Sequence, residues 1–346
     1  MLKSLQAGRA VAAVSVAAFH LSLMMGESRY GGEEIFGKYT HFGGRGVDFF
    51  FVLSGFIILF AHVKDIGNPI ALPRYLWRRF IRLYPIYWLY TICFAGVFAV
   101  IGGTQAAIPN NFADWLTSLS LIRFTAATPP LPVAWTLFHE VAFYAIFSIL
   151  ILNGRLGIAA FVVISVLSIV IYHYPQEANR TAATVYTSAY NLYFVFGMAA
   201  FWLFRRGGSG TLELLTGILV FAVAMTEVFS QNGIQRGVMG FGMALILTAA
   251  VKYEASGKIS IPSFLSTIGD ASYTIYLIHE NVQGSLLKAA NAMHLQNNFG
   301  PHLTYLFALF GSIIVGCLVY IFLEKPVVGF FRNIGFRFYS RSDAGK

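Results

Sequence analysis

Runs of 18 or more apolar residues recur from one end of the chain to the other. No other feature narrows its folding choices so far. Inside a bilayer no water pairs with backbone N–H and C=O groups, so a spanning segment must satisfy them itself. A run of this length does so as an α-helix. Run length places about ten spans, near residues 8–25, 45–63, 80–101, 133–152, 156–173, 185–204, 212–229, 236–252, 272–290 and 303–323. The expected fold class is all-α, a polytopic transmembrane helical bundle of about ten helices. Composition agrees: only 11% of the 346 residues are charged, against about 25% in a water-facing domain.

The formal charge of +9 implies no nucleic acid, because a membrane protein gathers Lys and Arg in cytoplasmic loops and beside anionic headgroups of the lipid bilayer. Segment 64–82 holds Lys64, Arg74, Arg78, Arg79 and Arg82 against one acid, Asp65. Arg155, Arg205-Arg206, Lys252 with Lys258, and the closing Lys325, Arg332, Arg337, Arg341 and Lys346 fall on the same side if the helices alternate. Both termini are therefore expected in the cytoplasm, and the chain in the cell inner membrane as a multi-pass protein. Lys3 before an apolar stretch imitates a signal peptide, but Arg9 and His20 interrupt it and no small-x-small cleavage site follows, so an uncleaved helix is expected. Cys93 and Cys317 lie inside apolar segments and read as packing residues. Residues 112–124, between Pro109 and Pro129-Pro130-Leu131-Pro132, read as a short amphipathic or interfacial segment.

The few polar groups within the spans then sort by depth. Arg9 and His20 bracket ten small or apolar residues, and eleven steps of about 100° return His20 to within about 20° of Arg9's face, roughly 16 Å further along. An ionisable group at such depth points to a functional site facing the bundle interior; the competing reading is an Arg at the membrane boundary and a helix-capping or interhelical His. On the expected topology Arg9 sits at the cytoplasmic edge and His20 in the outer half. Asp48 falls in the outer turns of the second span, and Glu140 about two turns deep in the fourth. A neutral imidazole takes a proton from a hydroxyl when a carboxylate orients its other nitrogen, and either Glu140 or Asp48 supplies that residue type for His20. The competing reading for Asp48 is an ion pair with Arg45; for Glu140, beside Trp135 and Phe143-Tyr144, it is a structural role. His139 points elsewhere on its helix.

At the other end, Arg78 and Arg82 are four apart and Arg79 and Arg82 three apart, so they are neighbours on a helix face. Arginine forks suit phosphate oxygens, and the alternative is ordinary anchoring to lipid phosphates. No phosphate-cradling glycine loop and no Cys/His set with metal spacing occurs, so no metal is expected.

Six stretches carry a family resemblance. They are Arg9-x10-His20, the Gly-Val-Asp-Phe-Phe-Phe-Val-Leu-Ser-Gly-Phe run at 46–56, Arg-Arg-x-x-Arg-Leu-x-Pro at 78–85, Trp135-Thr-Leu-x-x-Glu140, Gly269-Asp-Ala-Ser-Tyr-Thr-Ile-Tyr-Leu-Ile-His279, and Glu324-Lys-Pro326. In this order they resemble the acyltransferase 3 family of bacterial membrane O-acyltransferases, over roughly residues 5–330. One departure is Thr136, where the family's familiar residue is Ser. The resemblance implies a membrane-embedded acyltransferase domain over 1–330 and a basic cytoplasmic tail over 331–346. It implies transfer of an acyl group, acetyl or succinyl, from cytoplasmic acyl-CoA (acetyl-CoA or succinyl-CoA, a donor substrate and not a resident cofactor) to a hydroxyl of a glycan or lipid-linked saccharide at the outer face. Arg9, Arg78, Arg79 and Arg82 would hold the CoA phosphates, and His20 would be the base, with Glu140 or Asp48 behind it. Intramembrane charges also suit a transporter or flippase of a lipid-linked glycan, but no internal repeat supports one.

Overall fold

In the computed structural model residues 2–101, 108–171, 181–226 and 233–343 are described. Residues 172–173, 227–229 and Lys346, which the sequence reading assigns to spans and tail, lie outside them. Every regular element among the described residues is helical. The longer helices are α1 (Lys3–Met25), α2 (Gly46–His62), α3 (Leu72–Ile101), α4 (Phe112–Ser120), α5 (Trp135–Leu152), α6 (Gly154–Val170), α7 (Tyr190–Arg205), α8 (Thr211–Ala224), α9 (Gly233–Ala255), α10 (Ser263–Ala292), α11 (Pro301–Val319) and α12 (Lys325–Asp343). Each expected span falls on one of them. Six stretches, Lys3–Met25, Gly37–Asp65, Pro69–Val97, Pro132–Leu152, Gln235–Ala255 and Pro301–Gly335, are long and apolar enough to cross a membrane. The expected interfacial segment is α4, which Asn111 caps by accepting the Asp114 amide at 2.9 Å.

The chain divides into two compact units. One is Met1–Phe50 with Glu254–Pro326, the other Phe51–Tyr253 with Val327–Lys346.

In the first unit α1 and α10 run parallel. Gln6 donates to Asp270 (2.5 Å), Arg9 to Ser272 (3.0 Å), and Gln283 to the Ala17 carbonyl (2.9 Å), so partner numbers rise together. Small residues make the approach possible: Ala10, Ala12, Ala13 and Ala17 are buried along α1, and Gly269 lies so close to the Gln6 carbonyl that a side chain there would collide with backbone. Replacing Gly269 by Ala should therefore cost about 1–3 kcal/mol of stability. Thermal unfolding in detergent reads this as an earlier transition, and an unmoved transition would mean the helices separate freely there. The core between α1, α10 and α11 is filled by Leu21, Met25, Ile275, Leu287, Tyr305 and Ile313. After α11 the chain makes one π-helical turn, Tyr320–Glu324, which buries Glu324 to accept from Thr274 Oγ1 at 2.6 Å.

In the second unit a Cβ at Gly55 would strike the Phe194 carbonyl, so α2 and α7 touch backbone to backbone. Around that crossing the core is aromatic, with Phe143 and Phe194 stacked at 4.2 Å. Three side chains of α3 finish α4: Tyr84, Tyr87 and Trp88 donate to the carbonyls of Ser120, Ser118 and Leu119 at 2.7, 2.6 and 2.8 Å. Those carbonyls are helix-end acceptors that lipid would leave unpaired.

Candidate active site

The first unit brings together a histidine cluster. His20 comes from the C-terminal third of α1, and the turn before it is fastened twice: the Ala17 carbonyl receives Gln283, and the Ala18 carbonyl receives Tyr305 Oη at 2.8 Å. His20 Nδ1 lies 2.7 Å from His279 Nε2 and 3.2 Å from Glu280 Oε1. The two imidazole planes differ by 9° with centroids 5.0 Å apart, so the rings meet edge to edge along the N···N line. His279 in turn reaches the carbonyl of Tyr276, 2.7 Å from its Nδ1. His279 is 1% exposed, whereas the side chains of His20 and Glu280 are 26% and 34% exposed. The interior therefore holds the orienting ring, and the reachable groups are His20 and Glu280.

The ligand-type atoms of His20, His279 and Glu280 all lie within 4.8 Å of one another. Two ligands on a tetrahedral cation at about 2.0–2.1 Å stand roughly 3.3 Å apart. The His20–His279 separation of 2.7 Å is shorter, and is that of a hydrogen bond. The arrangement is suited to holding one ring nitrogen of His20 and leaving Nε2 for a substrate.

The expected stripe on α1 is present. Arg9 and His20 both meet α10, at Ser272 and His279. Asp48 is 3% exposed and lies 3.7 Å from Arg45 one turn earlier, the ion pair that the sequence offered as the competing reading. Within the 269–279 stretch Asp270, Ser272 and His279 contact α1, and Thr274 contacts Glu324. His279 entered the sequence reading only as part of that stretch, and Glu280 not at all. The available signal was an adjacent His and Glu within an apolar span, where any ionisable group points to function.

In the second unit Glu140 accepts from Tyr144 Oη, one turn on, and from Ser54 Oγ at 3.5 Å. The Arg79 guanidinium lies over the rings of Tyr75 and Tyr144, 5.8 and 5.7 Å from their centroids. Its buried Nε has no hydrogen-bond acceptor among the described residues. Arg78 is exposed and Arg82 half-buried on the same helix. His139 is fully buried among Phe51, Trp135 and Tyr190, which makes it a packing group.

Residues 2–321 match the profile of the acyltransferase domain family, acyltransferase 3. The chain is 28% identical over 307 residues to the exopolysaccharide production protein ExoZ of Rhizobium meliloti (strain 1021), covering 84% of this chain and 92% of that protein. It is 26% identical over 378 residues to the putative peptidoglycan O-acetyltransferase YrhL of Bacillus subtilis (strain 168), covering 96% and 55%. It is 26% identical over 312 residues to the peptidoglycan O-acetyltransferase OatA of Listeria monocytogenes, covering 78% and 47%. The chain thus spans about half the length of these two peptidoglycan relatives. No solved structure matches it.

Proposed function

The chain belongs to the acyltransferase 3 family, and from that premise we propose that it is an inner-membrane O-acyltransferase moving an acetyl or succinyl group from cytoplasmic acyl-CoA to a hydroxyl of a glycan or glycolipid at the outer face. The observation that carries this reading is His20, held through one ring nitrogen in a part-exposed cluster within the matched residues. The printed names of the relatives, exopolysaccharide production and peptidoglycan O-acetylation, support a saccharide hydroxyl as acceptor.

In this reading His20 takes the proton of the acceptor hydroxyl at Nε2 while the oxygen bonds to the thioester carbonyl carbon. The C–S bond then breaks, and the proton passes from the imidazolium to the departing thiolate. For the donor's phosphates the candidates are Arg9 in the first unit and Arg78, Arg79 and Arg82 in the second, each taken by itself on grounds of charge and fork geometry, and the orphan Nε of Arg79 is a donor suited to such a ligand. Glu140 and Asp48 retain the roles their contacts give them, as an acceptor for Tyr144 and Ser54 and as a partner of Arg45.

The test is consumption of radiolabelled acetyl-CoA and succinyl-CoA by the purified protein in lipid nanodiscs, with and without a short saccharide. Thioester loss that rises with saccharide, with label in the saccharide as an ester, is expected. A protein that consumes neither thioester while remaining folded would end this reading.

A further inference from the structure

Three hydrogen-bonding groups stand in line in the first unit: the Tyr276 carbonyl, the His279 ring and the His20 ring, with 2.7 Å at each step. A carbonyl oxygen only accepts, so His279 Nδ1 is the donor at the first step and carries its hydrogen. A neutral imidazole has one N–H, which leaves His279 Nε2 with a lone pair aimed at His20. His20 Nδ1 must then donate. The other neighbour of that nitrogen, Glu280 Oε1 at 3.2 Å, is also an acceptor when ionised. The His279 contact assigns that atom the hydrogen, and with Glu280 ionised a second acceptor converges on it. The near-coplanar rings, 9° apart, keep the bond along the lone-pair direction.

We propose that His279 is a positioning residue that locks His20 in the Nδ1–H tautomer, making Nε2 the basic nitrogen presented to the acceptor hydroxyl, with Glu280 as the carboxylate that faces the imidazolium formed. This rests on the acyltransferase reading for its chemistry, but the tautomer assignment does not. The division of labour has a physical reason. A buried carboxylate behind His20 would carry a large desolvation cost. A buried neutral ring hydrogen-bonded to its own helix backbone orients the base without that cost, and the carboxylate partner, Glu280, is the less buried of the two.

Two measurements test this. Solid-state NMR of protein labelled with 15N-histidine in nanodiscs reads the ring tautomer directly, with His20→Gln used to assign its signals. The wild type should show His20 protonated at Nδ1 and bare at Nε2, and His279→Ala should shift it towards Nε2–H. In turnover, His279→Ala should lower kcat by about 10²- to 10⁴-fold, the range for a base lost or held in the wrong tautomer, with KM for acyl-CoA little changed. In His279→Gln the side-chain oxygen can stand near the position of Nε2 and accept from His20 Nδ1, so this variant should recover at least tenfold over His279→Ala. Glu280→Gln, which keeps an acceptor but loses the charge, should lose about tenfold in kcat without altering the tautomer. A wild-type His20 protonated at Nε2 would overturn the proposal by itself, whatever His279→Ala does to folding. So would equal losses in His279→Ala and His279→Gln. A protein that holds the Nδ1–H tautomer yet consumes no thioester would instead sink the enzymatic reading and leave the positioning intact.

Discussion

His20→Ala should abolish measurable acyl transfer and leave a folded membrane protein. Loss of a general base costs about 10²- to 10⁴-fold. The fold should survive because His20 contributes little to the apolar core. Its side chain is 26% exposed, and the turn before it is fastened by Gln283 and Tyr305 independently of the ring. The main structural cost is an unpaired acceptor at His279 Nε2, worth about 1–3 kcal/mol if left dry. Because His20 is only part-buried, any water admitted to the vacated space would take that bond and reduce the cost. Thioester turnover and thermal unfolding measured on the same preparation separate the two effects. Turnover within about threefold of wild type would remove His20 from the chemistry.

The α1 stripe was readable because helix geometry is local: eleven residues return to one face whatever the helix packs against, and Arg9 and His20 do meet one helix. The partner of His20 was not. His279 lies 259 positions away, and which helix packs on α1 is decided by small residues such as Gly269 and Ala13, whose contacts are non-directional and leave no spacing to read. An acid and an imidazole side by side in α10, Glu280 and His279, went unweighed for the same reason. The start of α3 illustrates a second limit. Hydropathy placed the span at 80, because Arg74, Arg78 and Arg79 lower the running average, whereas the helix begins at Leu72. Arginine is a good helix former, so the basic cluster stands on the first three turns of the helix rather than in a loop before it. The 78/82 neighbour relation expected of a helix holds there as well.

That placement sets up the second large effect. Replacing Arg78 and Arg82 together by Gln should raise KM for acyl-CoA by about 10²-fold and leave KM for the saccharide nearly unchanged. Each charge-assisted contact to a phosphate is worth about 1.5–3 kcal/mol. Arg78 is exposed and Arg82 half-buried, so solvent screening favours the lower figure, and two contacts at about 1.5 kcal/mol make about two decades. Arg79 is left in place because its guanidinium packs over Tyr75 and Tyr144, and its removal would mix lost packing with lost charge. Changing the same pair to Lys should restore only part of the affinity, since an ammonium cannot reproduce the planar fork. Raising salt should weaken donor binding in the wild type more than in the Gln variant, because the screened charges are the ones the variant lacks. An unchanged KM for acyl-CoA would make the pair an anchor to lipid phosphates. Donor binding would then have to rest on another cation, such as Arg79 with its unsatisfied Nε.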